Sequence, residues 1–178
     1  MSYKYKPSKV DLYSEDPENE ITWSTVNATD PDFLLQKRWR TVKPLVHRAN
    51  SATGAIRNST YSLICTEFNM SELPDTITGI ELYIQAQRNG RISDYQIQLT
   101  HENLPIGENN FKYITDTEGH FLLLNNTVYG GPDDTWGAEI TKEMLQDPSF
   151  GVILKFQSHP YYPHSCGMIV EAVSITVY

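Results

Sequence analysis

Apolar and polar residues alternate with a period of two along much of the chain's C-terminal two thirds. In Ile80-Glu-Leu-Tyr-Ile-Gln-Ala-Gln87, the residues Ile80, Leu82, Ile84 and Ala86 share one face, with Glu81, Tyr83, Gln85 and Gln87 on the other. The same period runs through Tyr95-Gln-Ile-Gln-Leu99, Phe150-Gly-Val-Ile-Leu-Lys-Phe156 and Val173-Ser-Ile-Thr-Val-Tyr178. Strands are therefore predicted near 61–68, 77–88, 92–100, 150–157 and 168–178, each burying one face. Asn89-Gly90 is expected to close a hairpin between the second and third, because this dipeptide tolerates the positive φ angles of a tight primed turn.

Helix is scarce. Thr141-Lys-Glu-Met-Leu-Gln-Asp147 opens on a capping threonine and stops before Pro148, enough for about two turns of about 3.6 residues. Antiparallel strands with one apolar face need a second sheet to cover them. The predicted fold is all-β: an antiparallel β-sandwich of jelly-roll type with one short helix.

The N-terminal region reads differently. Ile21-Thr-Trp-Ser-Thr-Val26 fits a first strand, while residues 1–19 carry Lys, Tyr and Ser without a clear period. We divide the chain into an extended N-terminal arm, 1–19, and a sandwich domain, 20–178, carrying a basic insertion at about 33–58. The tyrosines Tyr3, Tyr5 and Tyr13 suit an interface better than a free tail, so the arm is expected to pack on another chain.

Charge strengthens that division. The net charge of −8 argues against general affinity for nucleic acid, which needs clustered Lys and Arg to displace counterions. Residues 1–60 hold nine Lys and Arg against seven Asp and Glu, and residues 61–178 hold five against fifteen. Between Phe33 and Asn58 the chain carries Lys37, Arg38, Arg40, Lys43, Arg48 and Arg57 with no acid. This strip is expected to dock on an acidic surface of a neighbour. The first residues lack the apolar core of a signal peptide, and no run of about 18 apolar residues occurs, so synthesis in a cytoplasm without membrane insertion is expected.

The candidate chemistry is thin. Gly-rich phosphate loops and the Gly-x-Ser-x-Gly elbow are missing from the sequence, and we expect no enzyme, cofactor or metal. His159, His164 and Cys166 offer three zinc-ligand types, but their spacing lies in a Pro- and Tyr-rich loop with no partner pair to close a site. Asp133 and Asp134 would suit calcium and suit a solvated turn as well. Being adjacent, they fail as a glycosidase pair, which must straddle a scissile bond. Tyr129, Trp136, Tyr161 and Tyr162 fall on predicted loops, where flat rings serve the core or an interface, Trp136 as a plug over one end of the sandwich, or else stack on a surface glycan as in a carbohydrate-binding module.

Several of these segments form a succession: Ile77-Thr-Gly-Ile80, Gly90-Arg-Ile-Ser-Asp94, Leu104-Pro-Ile-Gly107, Tyr129-Gly-Gly-Pro-Asp-Asp-Thr-Trp-Gly137, Asp147-Pro-Ser-Phe-Gly-Val152 and Val173-Ser-Ile-Thr-Val-Tyr178. Together with Thr22-Trp-Ser-Thr-Val-Asn27, the order resembles a β-sandwich module of tailed-bacteriophage virion proteins, tail-associated and decoration components, over roughly residues 20–178. The resemblance implies a virion location in the tail apparatus (baseplate, collar or fibre attachment), with head decoration as the alternative. Its implied partners are other virion proteins and copies of this chain, and it carries over no catalytic residues. The 33–58 insertion and the His159–Cys166 loop depart from the pattern.

Overall fold

The computed structural model describes residues 1–17, 20, 23–25, 39–41, 59–89, 92–112, 126–158 and 167–178. They form eleven strands and one helix: β1 (Tyr3–Tyr5), β2 (Lys9–Tyr13), β3 (Trp23–Thr25), β4 (Trp39–Thr41), β5 (Ser62–Thr66), β6 (Ile80–Asn89), β7 (Ile92–His101), β8 (Leu104–Ile106), β9 (Asn126–Gly130), α1 (Lys142–Gln146), β10 (Gly151–Ser158) and β11 (Gly167–Val177). One sheet runs β3-β4-β11-β6-β9, with β1 also paired to β11, and the other runs β2-β5-β10-β7-β8. Every strand pair is antiparallel.

Taken from β4 to β11, the strand orders 4-11-6-9 and 5-10-7-8 are those of a jelly roll, in which the first strand lies beside the last and successive strands, except the paired β7 and β8, cross between the sheets. The apolar faces read from the sequence meet between the sheets. Leu82 and Ile84 on β6 and Ile175 on β11 face Leu63 on β5, Leu99 on β7 and Leu154 on β10, all of them buried. Thr141 caps α1 by accepting from Met144 N at 3.2 Å, and the helix turns Leu145 into the same core.

Two expectations change. β6 and β7 are not a hairpin, since β6 pairs with β11 and β9 while β7 pairs with β10 and β8. The chain passes from one sheet to the other between Asn89 and Ile92, so both strands turn their apolar faces to a shared interior. Period-two alternation defines a face and leaves the pairing partner open.

The first thirteen residues are extended, but they are strands of the sandwich rather than a detached arm. Tyr3–Tyr5 pairs with Ile175–Val177, and Lys9–Tyr13 pairs with Ser62–Thr66. Pro7 is buried where the chain changes sheets. The Tyr5 hydroxyl donates to the Glu72 carbonyl, and Ser8 Oγ donates to the Glu67 carbonyl at 2.9 Å. The basic segment is likewise part of the fold at its centre, because Trp39-Arg-Thr41 forms β4 between β3 and β11.

Cys65 illustrates how closed the interior is. Burial pushes its thiol up to about 12, so almost no thiolate exists at neutral pH. A maleimide added to the native protein at pH 7 is expected to leave Cys65 unmodified and to label it after denaturation, as read by peptide mass mapping. Rapid labelling of the native thiol would contradict this burial.

Candidate functional site

The loop that carries the resemblance, Tyr129 to Gly137, closes one end of the sandwich. At the end of β9, Gly130 adopts φ +69°, and a Cβ there would lie 2.2 Å from the Ile80 carbonyl and 2.4 Å from Trp136 Nε1. Only glycine fits so close an approach in a left-handed conformation. The loop folds back, with Gly131 N donating to Ile80 O at 3.2 Å and Ile80 N donating to Asp134 O at 2.9 Å. Asp134 Oδ1 accepts from Trp136 N at 2.7 Å, a local aspartate turn that holds Trp136 at φ +60°.

Trp136 then points inward. Its ring is buried to 1% exposure and its Nε1 donates to Ile80 O at 2.8 Å. Its own carbonyl accepts from Glu108 N, just beyond β8, so the loop ties the two sheets together. Trp136 takes the place expected of a plug, and the other reading of Trp136 and Tyr129, as exposed loop aromatics, gives way: both are buried, and neither face is offered to a sugar or a partner. An aromatic in a polar, Gly-rich segment reads as exposed until the return of the loop onto Ile80 is known.

A second tie lies deeper. Across the β7–β10 pair, Lys155 is opposite Gln96 while Phe156 is opposite Asp94, so Tyr95 is the extra residue of a β-bulge. Strict alternation from Ile97 and Leu99 would put Tyr95 inside. The bulge reverses the faces, leaving Tyr95 exposed and carrying the Asp94 carboxylate into the core at 0% exposure. There Asp94 Oδ2 accepts from Tyr129 Oη at 2.7 Å and from Lys112 N at 2.9 Å, joining β7 of one sheet to β9 of the other. Lys112 Nζ sits 5.1 Å from the centroid of the Tyr129 ring and donates to Val128 O at 2.6 Å.

A third polar node lies on the outer face of the second sheet. β10 is buried on both faces, since Ile153, Lys155 and Gln157 on the outer side are as enclosed as Val152 and Leu154 within. After β2 the chain turns, with Glu20 N donating to Asp16 O at 2.9 Å, and brings Glu20 onto this face. Glu20 Oε1 pairs with Lys155 Nζ, the two side chains only 6% and 7% exposed. Ser14 Oγ donates to the other Glu20 oxygen, and Lys155 Nζ lies 5.3 Å from the Tyr95 ring centroid. Lys155 interrupts the apolar run from Val152 to Phe156, and that interruption was the sequence signal for a buried partner.

The remaining sequence-derived residues are dispersed. Tyr3 and Tyr5 are half-buried on β1 against β11, and Tyr13 is exposed on β2. Arg40 falls on β4, its side chain outside the described set; Lys37, Arg38, Lys43, Arg48, Arg57, Tyr161 and Tyr162 also lie outside the described residues, as do His159, His164 and Cys166. Asp133 is exposed on the closing loop. Among the described residues, no group of three or more His, Cys, Asp and Glu side chains is placed to hold a metal ion. Beside the turn that follows β7, His101 Nε2 approaches Asp147 Oδ2 at 3.6 Å. Asp147 is held below the usual carboxylate range first by the Ser149 backbone N–H, which donates to Oδ1 at 2.7 Å.

No protein-family model matches the chain, and no curated protein matches it. Among solved structures, the chain is similar to a protein of Bacteroides vulgatus ATCC 8482 described as a "putative glycoside hydrolase", with a TM-score of 0.38 and 9% sequence identity over 96% of each chain.

Proposed function

We propose that this chain is a non-enzymatic structural module of a tailed-bacteriophage particle, placed in the tail apparatus and working through contacts with other virion proteins. The observation that carries the reading is the use made of the segment on which the resemblance rests. In Tyr129 to Gly137, Gly130, Asp134 and Trp136 spend their conformational freedom and hydrogen bonds on closing the sandwich, and Tyr129 spends its hydroxyl on Asp94. Residues committed in this way specify a rigid scaffold whose function lies on its surfaces.

The basic segment is where we place the docking contact, because complementary charge steers assembly and sets register. The double variant Arg38→Glu/Arg40→Glu, supplied in place of the natural chain during particle assembly, is expected to lower incorporation by about tenfold. Quantitative mass spectrometry of purified particles measures it. Incorporation equal to wild type would remove the basic contact, and cross-links to head rather than tail proteins in intact particles would relocate the chain to head decoration.

A further inference from the structure

Among the described residues β1, β2, β3, β8 and β9 each pair on one side only; β1 and β3 are three residues long, and two of the others, β9 and β8, are blocked. On β9, Tyr83 and Val128 are a non-hydrogen-bonded pair, so Val128 turns its backbone groups outward, and there Lys112 Nζ occupies its carbonyl at 2.6 Å. β8 is three residues long and contains Pro105, which has no N–H to give a neighbour. Short length, proline and a lysine over the edge are the usual means of preventing strand addition. β2 is five residues long without proline, its charged residues Lys9 and Asp11 are of opposite sign and pair with each other, and it exposes Leu12 at 39% and Tyr13 at 54%.

We infer that β2 is an interface for a second copy of this chain, joined by antiparallel pairing of the two β2 edges into one continuous sheet. The inference rests on the proposed reading of the chain as an assembly module, and names one of its partners. The backbone pattern allows it. Ser8 N donates to Glu67 O at 3.1 Å, and the register runs on to place Lys9 opposite Thr66 and Val10 opposite Cys65. Antiparallel alternation then turns the N–H and C=O of Val10 and Leu12 toward β5, and those of Lys9, Asp11 and Tyr13 toward the edge, which is unpaired among the described residues.

Charge selects the register. A two-fold axis through Val10 sets Lys9 of each copy opposite Asp11 of the other, so each outward-facing pair exchanges both backbone hydrogen bonds and brings opposite charges together. An axis through Asp11 would oppose two carboxylates. An axis between Val10 and Asp11 would match an outward residue with an inward one and break the ladder. Lys9 and Asp11 already form an ion pair along their own strand at 2.9 Å, both about half exposed. Pairing turns that exposed couple into a reciprocal four-charge cluster.

A five-residue edge covers less area than an obligate dimer buries, so the association is expected to depend on concentration. Sedimentation velocity of the full chain, over a series reaching about 1 mM, should show a monomer–dimer equilibrium. Lys9→Asp places like charges opposite each other and is expected to weaken association by about tenfold, and the double exchange Lys9→Asp/Asp11→Lys should restore it. Asp11→Pro removes an outward N–H while leaving the bonds to β5, and should give a monomer with a native circular-dichroism spectrum. If that variant fails to fold, the charge exchange decides alone.

A wild-type chain that stays monomeric throughout overturns the inference, as does a Lys9→Asp variant that dimerises like wild type or a double exchange that fails to recover. A monomeric chain that still cross-links to other virion proteins in particles refutes the second copy and leaves the structural reading standing.

Discussion

Trp136→Ala is expected to destabilise the fold by about 3–5 kcal/mol, the range for removing a large aromatic from a packed interior. The indole is one of the largest fully buried side chains, and it plugs the end of the sandwich where β6 begins and β9 ends. Its loss leaves a void bounded by a loop that has little freedom to collapse, because Gly130 and Gly107 are pressed against neighbouring backbone. Alanine would also inherit the φ of +60° that the Asp134 turn imposes. Trp136→Phe is the milder change. It retains one ring, removing the Nε1 donor together with part of the indole's volume, and Ile80 O keeps its bond from Gly131 N. It should cost about 1 kcal/mol for the hydrogen bond and about 1 kcal/mol more for the smaller void. Urea unfolding of the three proteins measures both differences. A cost for alanine below that for phenylalanine would mean that the ring does not plug the core.

How far the sequence foretold this depended on how each residue earns its place. The long strands were legible: 92–100 was expected against Ile92–His101, and 150–157 against Gly151–Ser158. Their alternation is strong because one face of each meets the opposite sheet. The capped helix before Pro148 was legible for a local reason, the threonine side chain on the first turn. β1, β2, β4, β8 and β9 were not, since three to five residues are too few for a period to stand out and edge strands carry polar residues on both sides. The candidate site was hidden further. Asp94 is inside only because a bulge at Tyr95 shifts the face by one residue, and Glu20 meets Lys155 from 135 positions away. The plug role of Trp136 was legible, whereas the aspartate turn that holds it was not. The bulge and the long-range ion pair depend on pairing partners, and composition says nothing of them.

The Glu20–Lys155 pair should behave as a buried ion pair does, more costly to break than to replace. Lys155→Met alone is expected to cost about 3–5 kcal/mol, because it leaves the Glu20 carboxylate enclosed with, among the described residues, only the Ser14 hydroxyl to satisfy it. Glu20→Gln removes the countercharge but leaves an amide oxygen that can accept from Lys155 Nζ, beside the Tyr95 ring, and should fall below that range. The double variant Glu20→Leu/Lys155→Met removes both charges and keeps apolar volume over the outer face of β10. It is expected to recover most of the loss, since the desolvation that opposes the pair disappears with it. A double-mutant cycle by chemical unfolding gives the coupling directly. Additive single costs would mean that the pair contributes no coupling, and that the segment after β2 is held on the sheet by other contacts. Strong coupling would instead make Glu20 the anchor that fixes the chain leaving β2, and so the position of the edge at which Lys9 and Asp11 lie.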